Sequence, residues 1–324
     1  MKRGKYIGLI ILSGIFFTGT EWVAAEKDMP AEELKLYQIS EKKFDCNVVC
    51  ETLFREMQTE KEVLQNGGIT VRSGEGVLWM GDGDISYEKN TNASKENRLI
   101  FQYLNSEICE EYWKNEDIEE NKEIYNRITN ICKLNCDEEL KLVHTGNFDK
   151  KILEEMQKKL KEYGQDLEID VWNAEKYTAL EYELYKDGIP IMGLNEPRQG
   201  YYIELFGADP LYVRVLAGDG EILCLDIQGM FEANESERVE ILTEEEALHI
   251  AEKEMEEVIS DYTWEISNVK LEYVPIPDWS DEISVPEELV PYWCVTRIRN
   301  NGEDTSEDAV RINAITGASC IIQI

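Results

Sequence analysis

Histidine is almost missing from this chain, with two residues in 324, and the scarcity removes a good deal of catalytic chemistry. His144 and His249 cannot build a histidine-rich metal site or a relay through several imidazoles. Positive charge is scarce too: 33 Lys and Arg face 67 Asp and Glu, a formal net charge of -34. Nucleic acid and anionic lipid are held largely by Lys and Arg, so the balance argues against both as partners. It suits a cationic partner, or simply a well-solvated acidic surface. Beyond residue 25 no run approaches the roughly 20 apolar residues of a membrane-spanning helix. The chain also lacks the G-x-S-x-G, H-E-x-x-H and P-loop patterns. What it does have is aromatic mass, 7 Trp and 16 Tyr, enough to bury a core in one to three domains.

The first residues carry the clearest address. Lys2, Arg3 and Lys5 precede an apolar run from Tyr6 to Phe17, and Val23-Ala24-Ala25 supplies small residues. Basic start, apolar middle and small-residue end are the parts of a secretory signal peptide. We expect residues 1–25 to be that peptide, cleaved after Ala25, leaving a secreted or cell-surface protein. The alternative is an uncleaved N-terminal anchor.

All eight cysteines follow the expected cleavage point: Cys46, Cys50, Cys109, Cys132, Cys136, Cys224, Cys294 and Cys320. An even number in an exported chain permits disulfides, which is the expectation here, with buried free thiols as the alternative. Cys46/Cys50 and Cys132/Cys136 share a C-x3-C spacing, which puts two thiols on one helix face. With so few histidines to complete a tetrahedral set, no zinc site is expected, and no metal or cofactor is implied. Gly81 through Asn92 resembles a calcium loop in its acidic spacing. Tyr87 and Ala93 stand where an EF-hand needs glycine and glutamate, so a plain polar loop is expected.

Along the chain, a helix carries Val48, Val49, Leu53 and Phe54, and Ile69 to Met80 alternates like strand. Residues 115–147 are ambiguous. Phe148 to Tyr163 has a helical stripe in Leu153, Met156 and Leu160, stopped by Gly164. Strands follow at Thr178–Tyr185, Tyr201–Phe206, Leu211–Ala217 and Glu221–Ile227, with turns at Asp187-Gly188 and Gly218-Asp219-Gly220. Thr243 and Glu246 stand in capping-box spacing before a second helix. Strands recur at Val269–Val274, Tyr292–Arg299, Ala309–Ile315 and Cys320–Ile324. Helix first and antiparallel sheet after, twice over, predicts an α+β fold. Its parts would be an N-terminal α+β region over 26–147, one helix-plus-sheet unit over 148–239 and a second over 240–324.

The residues Leu242-Thr243-Glu244-Glu245-Glu246-Ala247-Leu248-His249-Ile250-Ala251, Val269 to Pro275, Pro291-Tyr292-Trp293-Cys294-Val295 and Ile312-Asn313-Ala314-Ile315-Thr316-Gly317 together resemble PepSY-like modules. They are most similar to those of the extracytoplasmic YycH and YycI proteins, and Tyr182 to Pro190 resembles a first copy. The resemblance spans about residues 170–324. It implies a repeated helix-plus-sheet unit and restraint of a membrane sensor kinase. The motif also reads locally: Thr243 caps a helix, while Asn313 and Gly317 suit left-handed turn angles.

No catalytic set emerges. His249 lies among Glu252, Lys253 and Glu256 on the wet side of its helix, and His144 has no flanking motif. The expectation is a non-enzymatic binding or regulatory protein of the bacterial cell envelope that recognises a protein or peptide. An inhibitor or chaperone-like partner of a secreted protease is the alternative, since PepSY modules also occur in protease propeptides. Trp264, Tyr273, Tyr292 and Trp293 are possible contacts. The segment Pro275–Pro291 reads as an exposed loop, because its prolines cannot donate to a ladder. Within it Asp278, Trp279, Asp281 and Glu282 are the candidate partner-contact residues.

Overall fold

The computed structural model describes residues 33–54, 59–90, 97, 100–101, 122–162, 164, 176–192, 211–257, 263–277, 286–300 and 305–322. The expected signal peptide, Cys109, Tyr201–Phe206 and the four candidate contacts Asp278, Trp279, Asp281 and Glu282 lie outside these residues. The side chains of Trp264 and Cys320 do as well.

Fifteen strands and four helices follow one another among the described residues. They run β1 (Leu34–Glu41), α1 (Cys46–Leu53), β2 (Glu60–Val63), β3 (Ile69–Arg72), β4 (Gly76–Met80), β5 (Ile85–Lys89) and α2 (Lys122–Cys132). Next come β6 (Glu138–Asp149), α3 (Lys150–Glu162), β7 (Lys176–Lys186), β8 (Ile189–Pro190), β9 (Tyr212–Gly218), β10 (Glu221–Gln228) and β11 (Phe231–Val239). The chain ends with α4 (Glu244–Glu257), β12 (Thr263–Pro277), β13 (Pro286–Asn300), β14 (Thr305–Asn313) and β15 (Ser319–Ile322). No helix among the described residues is long and apolar enough to cross a membrane.

The strands form a nine-stranded sheet, β2-β3-β4-β5-β10-β9-β7-β6 with β8 on β7, and a six-stranded sheet, β11-β1-β13-β14-β15 with β12 on β13. The expected repeat of helix-plus-sheet units is therefore overturned. The protein is mainly antiparallel sheet, in two sheets that draw strands from far apart in sequence. β5 pairs with β10, while β1 pairs with both β11 and β13. The sheets thus cross the divisions at 147 and 239, and residues 32–324 are one compact unit.

Local chemistry sets the hairpins. Asp187 and Gly188 have φ of 51° and 81°, and Asp219 and Gly220 have 52° and 79°. Those left-handed pairs match the strand twist of a two-residue hairpin, and Asp-Gly tolerates them. One apolar core, with Val71, Leu78, Tyr182, Val215, Leu225, Trp293 and Ile312, takes side chains from both sheets and from α1, α2 and α4. α4 begins as expected: Thr243 N–H donates to Glu246 Oε2 at 2.9 Å, and Glu246 N–H donates back to Thr243 Oγ1 at 3.3 Å. Fully buried Ala247 and Ala251 let it lie close to the six-stranded sheet.

Backbone and charge join the two sheets. Met192 N–H donates to Tyr273 O at 2.8 Å, Tyr37 OH donates to Asp187, and Lys35 Nζ meets Asp187 Oδ2 at 3.2 Å. Within the nine-stranded sheet buried Lys186 meets Asp137 at 3.0 Å and Glu138 at 3.1 Å, and its Nζ lies 5.0 Å from the ring centroid of Tyr37 on β1 of the other sheet. Gly83, with φ of 77°, exchanges main-chain hydrogen bonds with Lys42 and Met230. A Cβ there would stand 2.8 Å from Met230 O, so a glycine makes this junction possible.

Several local expectations change. Residues 81–92 are not a plain loop, because β5 lies within them, buried at Ile85 and Tyr87. Phe148 and Asp149 belong to β6, and α3 starts at Lys150 with Asp149 Oδ1 accepting from Ile152 N–H at 2.8 Å. Both ends of the expected loop 275–291 are strand, with Val274 opposite Val290 and Pro275 opposite Leu289. Proline costs a strand only its own ladder bond, which an edge strand such as β12 tolerates. Asn313 is not left-handed; its side chain accepts from Ile315 N–H at 3.0 Å and Thr316 N–H at 2.9 Å. Gly317 does take the positive φ, 72°. Cys46, Cys50, Cys132, Cys136, Cys224 and Cys294 are free thiols, so none of these six forms the disulfide expected from an even cysteine count.

Candidate functional site

The face of the nine-stranded sheet opposite the shared core carries a polar row that sequence spacing does not reveal. Strand register lines up Glu62 on β2, Thr70 on β3, Trp79 on β4, Ser86 on β5, Asp226 on β10, Arg214 on β9, Glu181 on β7 and His144 on β6. Neighbours in such a row sit directly opposite one another and interact. Arg214 holds Glu181 Oε1 through Nε at 2.9 Å and Nη2 at 2.8 Å. His144 Nδ1 lies 3.1 Å from Glu181 Oε2, and Ser86 Oγ donates to Asp226 Oδ1 at 2.8 Å.

Burial falls along the row, with side-chain exposure of 7% at Glu181 and 43% at His144. Burial pushes the Glu181 carboxyl upward. Its hydrogen bonds to His144 and Arg214 outweigh that and hold it below the usual carboxylate value. Glu181 is thus kept ionised between two donors. Ser86 is four strand spacings from His144, about 19 Å, so one reacting atom cannot touch both. The row offers a line of fixed polar groups, and His144 is its open end.

The other end of the row reaches β2, which among the described residues pairs with β3 alone and is exposed at all four positions. Leu64 N–H donates to Gly68 O at 2.7 Å, which fixes the ladder phase. Alternate residues of an antiparallel strand face the partner, so Glu60 and Glu62 bond toward β3, and the main-chain groups of Lys61 and Val63 face the open edge. Val63 is 67% exposed and Val77 43% exposed, the two exposed large apolar residues among those described. Trp79 lies across Gly81 and beside Gly68, where a Gly81 Cβ would come within 2.7 Å of its ring. Its ring therefore lies over bare backbone near the β2–β3 hairpin.

The aromatic contacts expected from sequence are placed differently. Tyr273 and Trp293 are buried core, with Trp293 Nε1 donating to Leu242 O at 2.8 Å, while Tyr292 is half-buried. His249 is exposed on α4, as its charged neighbours suggest. Val63, Val77 and Trp79 escaped the sequence reading. The available signal was a four-residue strand, Glu60–Val63, directly before Gly67-Gly68.

Comparison with solved structures shows the fold. The crystal structure of an uncharacterized protein from Eubacterium rectale ATCC 33656 matches with a TM-score of 0.56 and 14% identity, over 90% of this chain and 87% of that one. No family model matches the sequence, and no curated protein matches it.

Proposed function

We propose that this protein is an exported, non-enzymatic binding or regulatory protein of the bacterial cell envelope, which holds a protein or peptide partner by strand addition at β2. The observation that carries the reading is the open edge, where Lys61 and Val63 present main-chain groups beside exposed Val63 and half-buried Trp79. An extended peptide added to such an edge gains ladder hydrogen bonds, and neighbouring side chains give selectivity. Glu60 and Glu62 flank the edge, and the chain as a whole carries -34, so a peptide with basic residues is favoured. Export is supported by the basic, apolar and small-residue succession of residues 1–25.

A photo-crosslinking residue at Val63 tests the edge. In intact envelopes it should join one discrete protein, and Lys61→Pro in the same chain should abolish the product by removing an outward N–H. Crosslinks unaffected by Lys61→Pro would end the strand-addition reading. Export has its own test: the mature protein outside the cytoplasmic membrane should begin at Glu26.

A further inference from the structure

We propose that Cys46 and Cys50 form a two-thiolate site for a soft, thiophilic cation of the Cu(I) type. The two residues are separated by one helical turn on α1, and their sulfurs stand 4.0 Å apart, half-buried, on the same side of the helix. A disulfide needs sulfurs about 2.05 Å apart, so this is a separated dithiol. A cation centred between the sulfurs would sit about 2 Å from each, within a few tenths of an ångström of the roughly 2.3 Å zinc–thiolate length. A small outward turn of either side chain completes the fit.

Soft sulfur ligands select ions such as Cu(I), which accept few ligands, whereas structural zinc wants four. No group of three or more metal-binding side chains occurs among the described residues, which disfavours zinc here. Cys46 is the first residue of α1, just after the N-cap Asp45, whose side chain accepts from Asn47 and Val48 N–H. Burial and the neighbouring Cys46 push the Cys50 thiol up to about 12, so the ion must displace its proton. Asp45 itself is engaged by Lys133 at 3.0 Å. On binding, two S–H bonds break, two metal–sulfur bonds form and two protons pass to solvent, with no change in oxidation state. The other C-x3-C pair does not repeat the arrangement. Cys132 ends α2 buried in the core, and Lys133 at φ 44° turns the chain before exposed Cys136.

The test is an anaerobic titration of the full chain with Cu(I) against a chromophoric competing chelator. One tight equivalent is expected. The double variant Cys46→Ser/Cys50→Ser should weaken it about 100-fold or more, since even losing support around a ligand costs 10–100-fold. Cys136→Ser should leave it unchanged. A tight equivalent that survives the double substitution, or no tight equivalent in the unaltered chain, overturns the site. Alkylation mapped by mass spectrometry covers the case of a double variant that fails to fold. One equivalent of Cu(I) should protect Cys46 and Cys50 together in the unaltered protein, and unprotected thiols would likewise overturn it.

Discussion

Each sheet carries a carboxylate held by an arginine, and the two pairs differ in depth. In the six-stranded sheet Glu272 and Arg311 are 1% and 2% exposed, with Oε1 to Nε at 2.9 Å and Lys270 reaching the other oxygen at 3.1 Å. In the nine-stranded sheet Glu181 is nearly as buried, yet His144 beside it is 43% exposed. The first set reaches solvent through Lys270, 33% exposed, while its arginine is fully buried; the second reaches it through one imidazole, and its arginine is 15% exposed. Burial alone therefore does not mark a site here. What distinguishes the Glu181 row is that it continues from a buried ion pair to an exposed side chain at one end and an open sheet edge at the other.

The largest expected effect breaks the deeper pair. Glu272→Ala leaves Arg311 buried without its carboxylate and should cost about 3–5 kcal/mol in denaturant unfolding. The double variant Glu272→Met/Arg311→Met should be less damaging than Glu272→Ala, because no buried charge is left uncompensated. If the single change were the milder one, the two sheets would not differ in the way argued.

Glu181→Gln should cost less, about 1–3 kcal/mol, because the amide keeps one acceptor and His144 can turn to water. Its signature is pH dependence. The folded Glu181 carboxyl lies below its ordinary value of 4.5. A depressed carboxylate stabilises the fold above its unfolded value, and that contribution is lost as pH falls through the folded value. The stability gap between the unaltered protein and Glu181→Gln should hold at neutral pH and begin to close below 4.5. A gap that stayed constant to pH 3 would mean the charge on Glu181 is not what stabilises the row.

Gly317→Val comes next, at roughly 1–2 kcal/mol. Its φ of 72° resists a β-branched side chain, and a Cβ would stand 3.3 Å from Ile250 Cδ1. Thermal melting should show the loss with the binding edge unaffected, since Gly317 lies in the six-stranded sheet's turn beside α4.

Local signals in the sequence were good guides, and long-range ones were absent. The Thr243/Glu246 capping box, the Asp187-Gly188 and Asp219-Gly220 hairpins and the Gly317 turn each depend on a few adjacent residues, so a sequence displays them. β11 was missed because Phe231–Val239 is mostly exposed and charged, giving no apolar alternation to see. The repeat of helix and sheet misled because β1 enters the six-stranded sheet from the other end of the chain. The polar row was hidden for the same reason: Ser86 and Asp226 are 140 residues apart, and only strand register brings them together. The edge at β2 was hidden differently, since Glu60–Val63 is short and charged, as natural edges often are.

The smallest expected change in stability is also the one that tests the edge most sharply. Val63→Pro replaces a side chain that is 67% exposed and removes an N–H that faces away from β3. Nothing in the β2–β3 ladder depends on that N–H, because Leu64 and Glu62 make the bonds on either side of it. Surface changes away from such bonds stay within about 0.5 kcal/mol, so the melting temperature should barely move. Glu62→Pro, one residue earlier, removes an N–H that bonds toward β3 and should cost more. A partner added as a strand would feel the reverse order: Val63→Pro would block it, while a Glu62→Pro chain that still folds would keep its outward groups. Equal loss of binding in both variants would mean that the partner reads the side chains around Trp79, with the main chain of β2 uninvolved.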